Sequence, residues 1–401
     1  MRYSKLTERV AGEGAEAWQI HYEANELKNQ GRDIINLCVG DPDFDSPSVA
    51  TKAAIKALEA GDTHYADILG RPALRAAIAE AFERQTGVAT AQDNVVFLAG
   101  AQNALFAVCQ CLFQEGDEVI VPEPTYVTYE ATIQATGATI VRVPQPASRG
   151  FHIDLDALAR AVTKRTRGIM FATPCNPTGA VMTREELERI AEIAKKHDLW
   201  VVSDEVYGAI TFERPHVSMA SLPGMAERTA TISSLSKSHA MPGWRIGWAI
   251  GPKELIAHIG TLSLCMLYGL PPFIQQAAVA AITQGQSDVE RMKAIYLRRR
   301  DSLHEKLSRV QLLRCRKPEG GMFLLLDVEP TGLSAQDFGW RLLHEEGVAL
   351  LPADAFGPSA RGHLRLSFGL GDDALDEAAR RITRFCGGLA GATAAGTSAK
   401  G

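Results

Sequence analysis

Seven short, largely apolar runs, separated by stretches of helical pattern, constrain this 401-residue chain more than any other feature. They cover residues 94–99, 118–122, 139–143, 168–172, 199–203, 229–235 and 244–250. A strand that is wet on one face alternates apolar and polar residues. A continuous apolar run needs cover on both faces, which helices packed on either side of a mostly parallel sheet provide. The pattern predicts a doubly wound α/β domain over residues 48–287. Further strands at 320–326 and 363–368, around a helix at 335–345, predict a smaller α+β domain over 288–386, which the N-terminal segment 1–47 is expected to join. Residues 387–401, rich in Gly, Ala, Ser and Thr, are expected to be a disordered tail. The run Arg298-Arg299-Arg300, on a helix expected over 288–307, reads as a solvated face.

Composition narrows the class. A formal charge of −5 gives no reason to expect nucleic acid or an anionic membrane as partner. No apolar stretch is long enough to span a bilayer. Seven cysteines without a CxxC pair argue for a reducing compartment, with cytoplasm as the expectation. The ten histidines show no metal-ligand spacing, so no metal is expected.

In open α/β sheets ligands sit beyond the carboxyl ends of the strands, and the informative polar residues fall there. The run ending in Ser233-Ser234-Leu235 delivers Lys237, with Arg245 close behind in Gly243-Trp244-Arg245. A lysine brought to a buried strand end loses proton affinity and becomes a nucleophile. The arginine fork suits a phosphate. Amine and phosphate clamp together point to a cofactor with an aldehyde and a phosphate, pyridoxal 5'-phosphate. A lone lysine in a serine-rich loop would be a surface residue, so the other strand ends must supply the remaining contacts. Gly100-Ala101-Gln102 opens a helix and offers bare backbone N–H groups to the phosphate, with Ser234 adding a hydroxyl. Asp204 can keep the pyridine nitrogen protonated, which makes the ring an electron sink. Asn176 and Tyr207 can donate to the phenolic oxygen, and Tyr126 can stack on the ring. Each has a plainer reading: Asn176-Pro177-Thr178-Gly179 as a turn, Asp204 as a helix cap, Tyr126 as core. Their order along one chain favours the cofactor.

With these motifs the chain resembles the fold-type I pyridoxal-phosphate enzymes, in the class I aminotransferase branch. The matching stretches are Asn176-Pro177-Thr178-Gly179, Asp204-Glu205-Val206-Tyr207, and Ser234-Leu235-Ser236-Lys237 with Arg245; the resemblance runs from Val39 to Phe368. It implies that Lys237 holds the cofactor's aldehyde and later moves the substrate Cα proton, in a ping-pong transamination. It implies that Arg365 grips the substrate α-carboxylate with help from Gly40 and Asn176. It also implies a homodimer with shared sites, Tyr65 reaching the phosphate of the neighbouring subunit. Gln102 departs from the Lys, Ser or Thr common in relatives, leaving the backbone donors intact. Stretches such as 63–67, 236–241 and 264–269 are similar to the members that transfer the amino group of arginine to pyruvate. A guanidinium substrate needs a carboxylate in its pocket, and Asp67 is a candidate, although a solvated loop acid is an equal reading. A C–S β-lyase on the same fold and a ligand-sensing domain are the alternatives; a sensor would need a DNA-binding segment, which residues before Trp18 are too few to form.

Overall fold

The computed structural model describes residues 1–11 and 18–398. In chain order the strands are β1 (Ile35–Asn36), β2 (Val95–Ala99), β3 (Glu118–Glu123), β4 (Thr139–Pro144), β5 (Thr166–Ala172), β6 (Trp200–Asp204), β7 (Thr229–Ser234), β8 (Ile246–Ile250), β9 (Arg314–Cys315), β10 (Phe323–Asp327), β11 (Val348–Ala349), β12 (Leu351–Pro352) and β13 (His363–Ser367). The seven expected runs form one sheet, in the order β2-β8-β7-β6-β5-β3-β4. Six of its strands run parallel. β8 alone is reversed, pairing antiparallel with both β2 and β7. The sheet is therefore mixed, a feature that run length cannot encode.

Both faces are covered along most of the sheet, which explains the hydrophobicity of its inner strands; in the edge strand β4 only Val143 is buried. Val96, Val121 and Val202 pack with the helices Ala101–Leu112 and Lys253–Met266. Ile120, Phe171 and Val201 pack against the helix Arg184–His197. That helix starts on a reciprocal cap, Thr183 accepting from the Glu186 amide while the Glu186 carboxylate accepts from the Thr183 amide. Farther along the sheet, helices Ser48–Glu59, Pro72–Thr86 and Pro272–Gln284 bury Val95, Phe97 and Ile246.

A second, four-stranded antiparallel sheet has the order β12-β13-β10-β9. The N-terminal part packs beside it: β1 pairs parallel with β11, and Ile20, Ala24 and Leu27 of the helix Gln19–Asn29 share a core with Leu325, Leu343 and Leu351. Two expectations need correction. The last helix spans Asp372–Ser398, so residues 387–398 are helical rather than disordered. The alanines that lowered the sequence complexity favour a helix, and Leu389 packs against the adjoining core; residues 399–401 lie outside the described ones. The arginine run is not a solvated face either. Arg299 and Arg300 are 6% and 2% exposed and ion-paired. Among the described residues no helix is long and apolar enough to cross a membrane, and no cluster of three ligands could hold a metal ion.

Candidate active site

The carboxyl ends of β5, β6 and β7 open into one pocket, closed from the other side by Gly40 and by Phe323 and Arg365 of the four-stranded sheet. Of the expected residues, Gly40, Ala101, Gln102, Tyr126, Asn176, Asp204, Tyr207, Ser234, Lys237, Arg245 and Arg365 line it.

Lys237 sits on a single helical turn, Leu235–Ser238, three residues beyond β7 rather than on the strand itself. The turn forms because Ser234 caps it, its hydroxyl accepting from the Ser236 amide. The Lys237 Nζ donates to the Gly40 carbonyl at 2.6 Å. Burial lowers its pKa to about 8, Asp41 working against the fall and Arg365 and Arg245 adding to it. An amine so placed is within reach of its neutral, nucleophilic form at ordinary pH.

Asp204 closes β6 and is buried. Its Oδ2 accepts from the Tyr129 hydroxyl at 2.6 Å and its Oδ1 from the Val206 amide at 3.2 Å. Burial raises its pKa to about 6 against the pull of those two donors. A cation across the pocket would hold the carboxylate ionised. Tyr129, on the helix Thr128–Gln134, was not singled out from the sequence. Its signal was weak: an aromatic at helical spacing reads as core. Glu205, in the same motif, turns away from the pocket and accepts from Ser203, Ser218, His216 and the Met219 amide.

Arg365 lies in mid-strand on β13 and is 2% exposed. One Nη donates to Asn176 Oδ1 at 2.8 Å, the other to the Cys38 carbonyl. The guanidinium lies between the rings of Phe323 and Phe356, 4.2 and 4.8 Å from their centres. Burial lowers its pKa to about 10. Its Nε–H has no partner. A buried donor without an acceptor is costly, and an incoming carboxylate would satisfy it.

An uncapped helix start lies beside Arg245. Gly100 precedes the helix Ala101–Leu112 at φ +83°, with no side-chain cap over the first amides. A Cβ on Gly100 would lie 2.4 Å from a Nη of Arg245, and one on Gly247 would lie 2.3 Å from the Gly100 carbonyl carbon. Only bare backbone fits there, beside a guanidinium. Gly100 thus backs this helix start without lining the pocket. The Gln102 amide points elsewhere, donating to Thr132 Oγ1 at 2.9 Å and accepting from Thr128 Oγ1 at 2.6 Å. Two expected residues are not brought in. Tyr65 is 85% exposed, its ring 5.2 Å from that of Tyr268, and Asp67 is exposed on the same loop. Trp18, Leu105, Val206 and Phe323, none of them expected as site residues, join the lining.

Amine, acid, uncapped helix start and buried arginine in one pocket fit pyridoxal phosphate and an α-amino acid. The comparisons agree. The family described as aminotransferase class I and II matches residues 32–382. The chain belongs to this family of pyridoxal-phosphate-dependent aminotransferases. It is 53% identical over 391 residues to an arginine–pyruvate transaminase of Pseudomonas aeruginosa, covering 98% of this chain and all of the relative. An aspartate aminotransferase of Geobacillus stearothermophilus is 37% identical, covering 95% of this chain and 98% of that one. The solved aspartate aminotransferase of Thermus thermophilus with maleate superposes with a TM-score of 0.91 at 36% identity, over 96% of this chain and all of the other.

Proposed function

We propose that this aminotransferase moves the α-amino group of L-arginine to pyruvate by a ping-pong mechanism, as a cytoplasmic homodimer with shared sites. The observation that carries the amino-acid chemistry is the buried Arg365 guanidinium, its Nε–H unpartnered, lining the same pocket as Lys237 and Asp204. The arginine and pyruvate assignments are supported by the 53% identity to a transaminase of that name. The exposed Tyr65 and Tyr268, with Asp67 on the same loop, support the shared site, since a partner would bury the aromatics and could receive the carboxylate. Seven free cysteines support a reducing compartment.

Bound pyridoxal phosphate would supply an electron sink for a carbanion at the substrate Cα. In our reading Ala101, Gln102 and Ser234 hold its phosphate, with Arg245 neutralising the charge. Asp204 keeps the pyridine nitrogen protonated, Tyr129 fixing the carboxylate that does so. Tyr126 stacks on the ring, while Asn176 and Tyr207 donate to its phenolic oxygen. Burial holds the Tyr207 phenol above its ordinary range, so it serves as a donor. Arg365 would bind the α-carboxylate and thereby orient the substrate Cα toward Lys237. Lys237 Nζ, in its free-amine form, would take the Cα proton as general base and, once protonated, would serve as the general acid for the next proton transfer. The product 2-oxo acid departs, and a second oxo acid uses the same carboxylate grip.

A panel of amino acids with pyruvate and with 2-oxoglutarate, followed through the spectrum of the bound cofactor, tests the substrates. Arginine with pyruvate is expected to give the highest kcat/KM. Preference for aspartate or glutamate would remove the arginine assignment and leave the transaminase standing. Release of pyruvate and ammonia from cystathionine with no oxo acid present would point to a C–S lyase.

A further inference from the structure

We propose that Arg299 is a positioning residue for this site: its guanidinium fixes the strap of residues 37–47, whose Cys38 carbonyl holds Arg365 and whose Gly40 closes the pocket. The inference rests on the proposed roles of Lys237 and Arg365. The strap crosses from one sheet to the other over the pocket. At its start the Leu37 amide donates to Ala349 and the Leu37 carbonyl accepts from Ser367, at 3.0 and 2.9 Å. Cys38 accepts from Arg365, and Gly40 accepts from Lys237. At its far end the Ser46 hydroxyl donates to Ala240 and accepts from the Trp244 indole.

The middle is gripped at Asp43. Its amide donates to the Gly369 carbonyl at 3.1 Å, and its carboxylate takes both Nη groups of Arg299, at 2.7 and 2.8 Å. Nε of the same guanidinium donates to Asp372, at the start of the last helix, at 3.1 Å. Its carbon stands 5.1 Å from the Phe44 ring, which meets Tyr296 edge-on at 5.3 Å. All three nitrogens and a neighbouring ring are thus used, a geometry that a lysine cannot reproduce. A buried ion pair is weak evidence for stability, because desolvation offsets the attraction; fixing a unique arrangement is its best-attested use. The strap needs such fixing. A Cβ on Gly40 would fall 2.3 Å from the Phe323 ring, so the backbone already lies against the pocket lining. Arg300, also buried, bonds instead to Pro318, Glu213 and Asp301 and does not touch the strap.

The test uses Arg299→Lys, Asp43→Asn and the double variant. In the holoenzyme, KM for the amino donor and for the oxo acid are expected to rise together by about tenfold or more, with kcat within about threefold. They rise together because both substrates present a carboxylate to Arg365, which the strap helps to hold. The double variant should be little worse than either single one, since both remove the same contact. In cofactor-free protein, amide hydrogen exchange should quicken across residues 37–44 and stay unchanged across 200–204. A loss confined to kcat or to thermal stability with KM unmoved, or unchanged exchange in the strap, overturns the proposal. Should Arg299→Lys fail to fold, Asp43→Asn carries the test, its side chain being 25% exposed. Exchange needs no cofactor, so failure of the clamp and failure of the transaminase reading are told apart.

Discussion

The two walls of the pocket are built on different principles. On the seven-stranded side, Asn176, Asp204, Ser234 and Lys237 stand at or just beyond the carboxyl ends of strands, where the chain turns and side chains project into one crevice. On the four-stranded side, Arg365 sits in mid-strand, paired in register with Leu325, and reaches the pocket through the face of an antiparallel sheet. Burial moves key groups on both walls toward neutrality: it raises Asp204, and it lowers Lys237 and Arg365. Their uses differ. In the proposed reaction the first wall holds the amine that changes protonation, while the second holds a cation that remains charged and grips. The first is therefore expected to govern kcat and the second KM.

Lys237→Ala tests this division most severely. Loss of the general base should lower transamination by about a thousandfold or more, and the cofactor spectrum should no longer respond to an amino acid on the catalytic timescale. Interconversion of the two cofactor forms at the wild-type rate would break the comparison outright. Arg365→Lys comes next. Exchange of a fork for a point charge should raise KM for donor and acceptor alike by about tenfold to a hundredfold, with a smaller change in kcat measured by steady-state kinetics. Tyr129→Phe sharpens the picture on the first wall. Removal of the 2.6 Å donor raises the Asp204 pKa further, so the acidic limb of the kcat profile should move to higher pH, with kcat falling about fivefold. A limb that stayed put would assign Tyr129 to packing alone.

The smallest effect is expected between the walls, where His152 bonds to Glu186 on one side and Glu319 on the other. Those bonds raise its pKa from 6.5 to about 9 against the opposing effect of burial. A folded-state value above the unfolded one gives stability that is complete below about pH 6.5 and is lost as pH rises through about 9. The wild-type Tm should accordingly fall more steeply from neutral to alkaline pH than that of His152→Gln. Parallel Tm curves would remove the ion pair from the account.

The contrast between the walls also explains what could be read in advance. Strands buried on two faces announce themselves as largely apolar runs, the open edge strand β4 is legible from its β-branched residues, and Asp204 and Asn176 stand out as polar residues at or beyond strand ends. Arg365 followed from family resemblance rather than from its own surroundings, because an arginine inside a β-prone run carries no local sign of its ligand. The reversal of β8 was hidden, since a strand reads the same in either direction. Arg299 and Arg300 were misread because three successive arginines on a helix look solvated until their partners are known, and Asp43 lies 256 residues away. Tyr129 was hidden for a similar reason: only the fold tells a core aromatic from one whose hydroxyl meets a buried acid.

The spare N–H of Arg365 has one more consequence. A molecule with the right side chain but no carboxylate, such as the amine left when an amino acid is decarboxylated, would enter and leave that donor dry. Sites built around a polar partner reject analogues lacking it by about ten-thousandfold. With Arg365 in its proposed role, discrimination between amino acids and their parent amines would require no steric wall; an unanswered hydrogen bond would suffice.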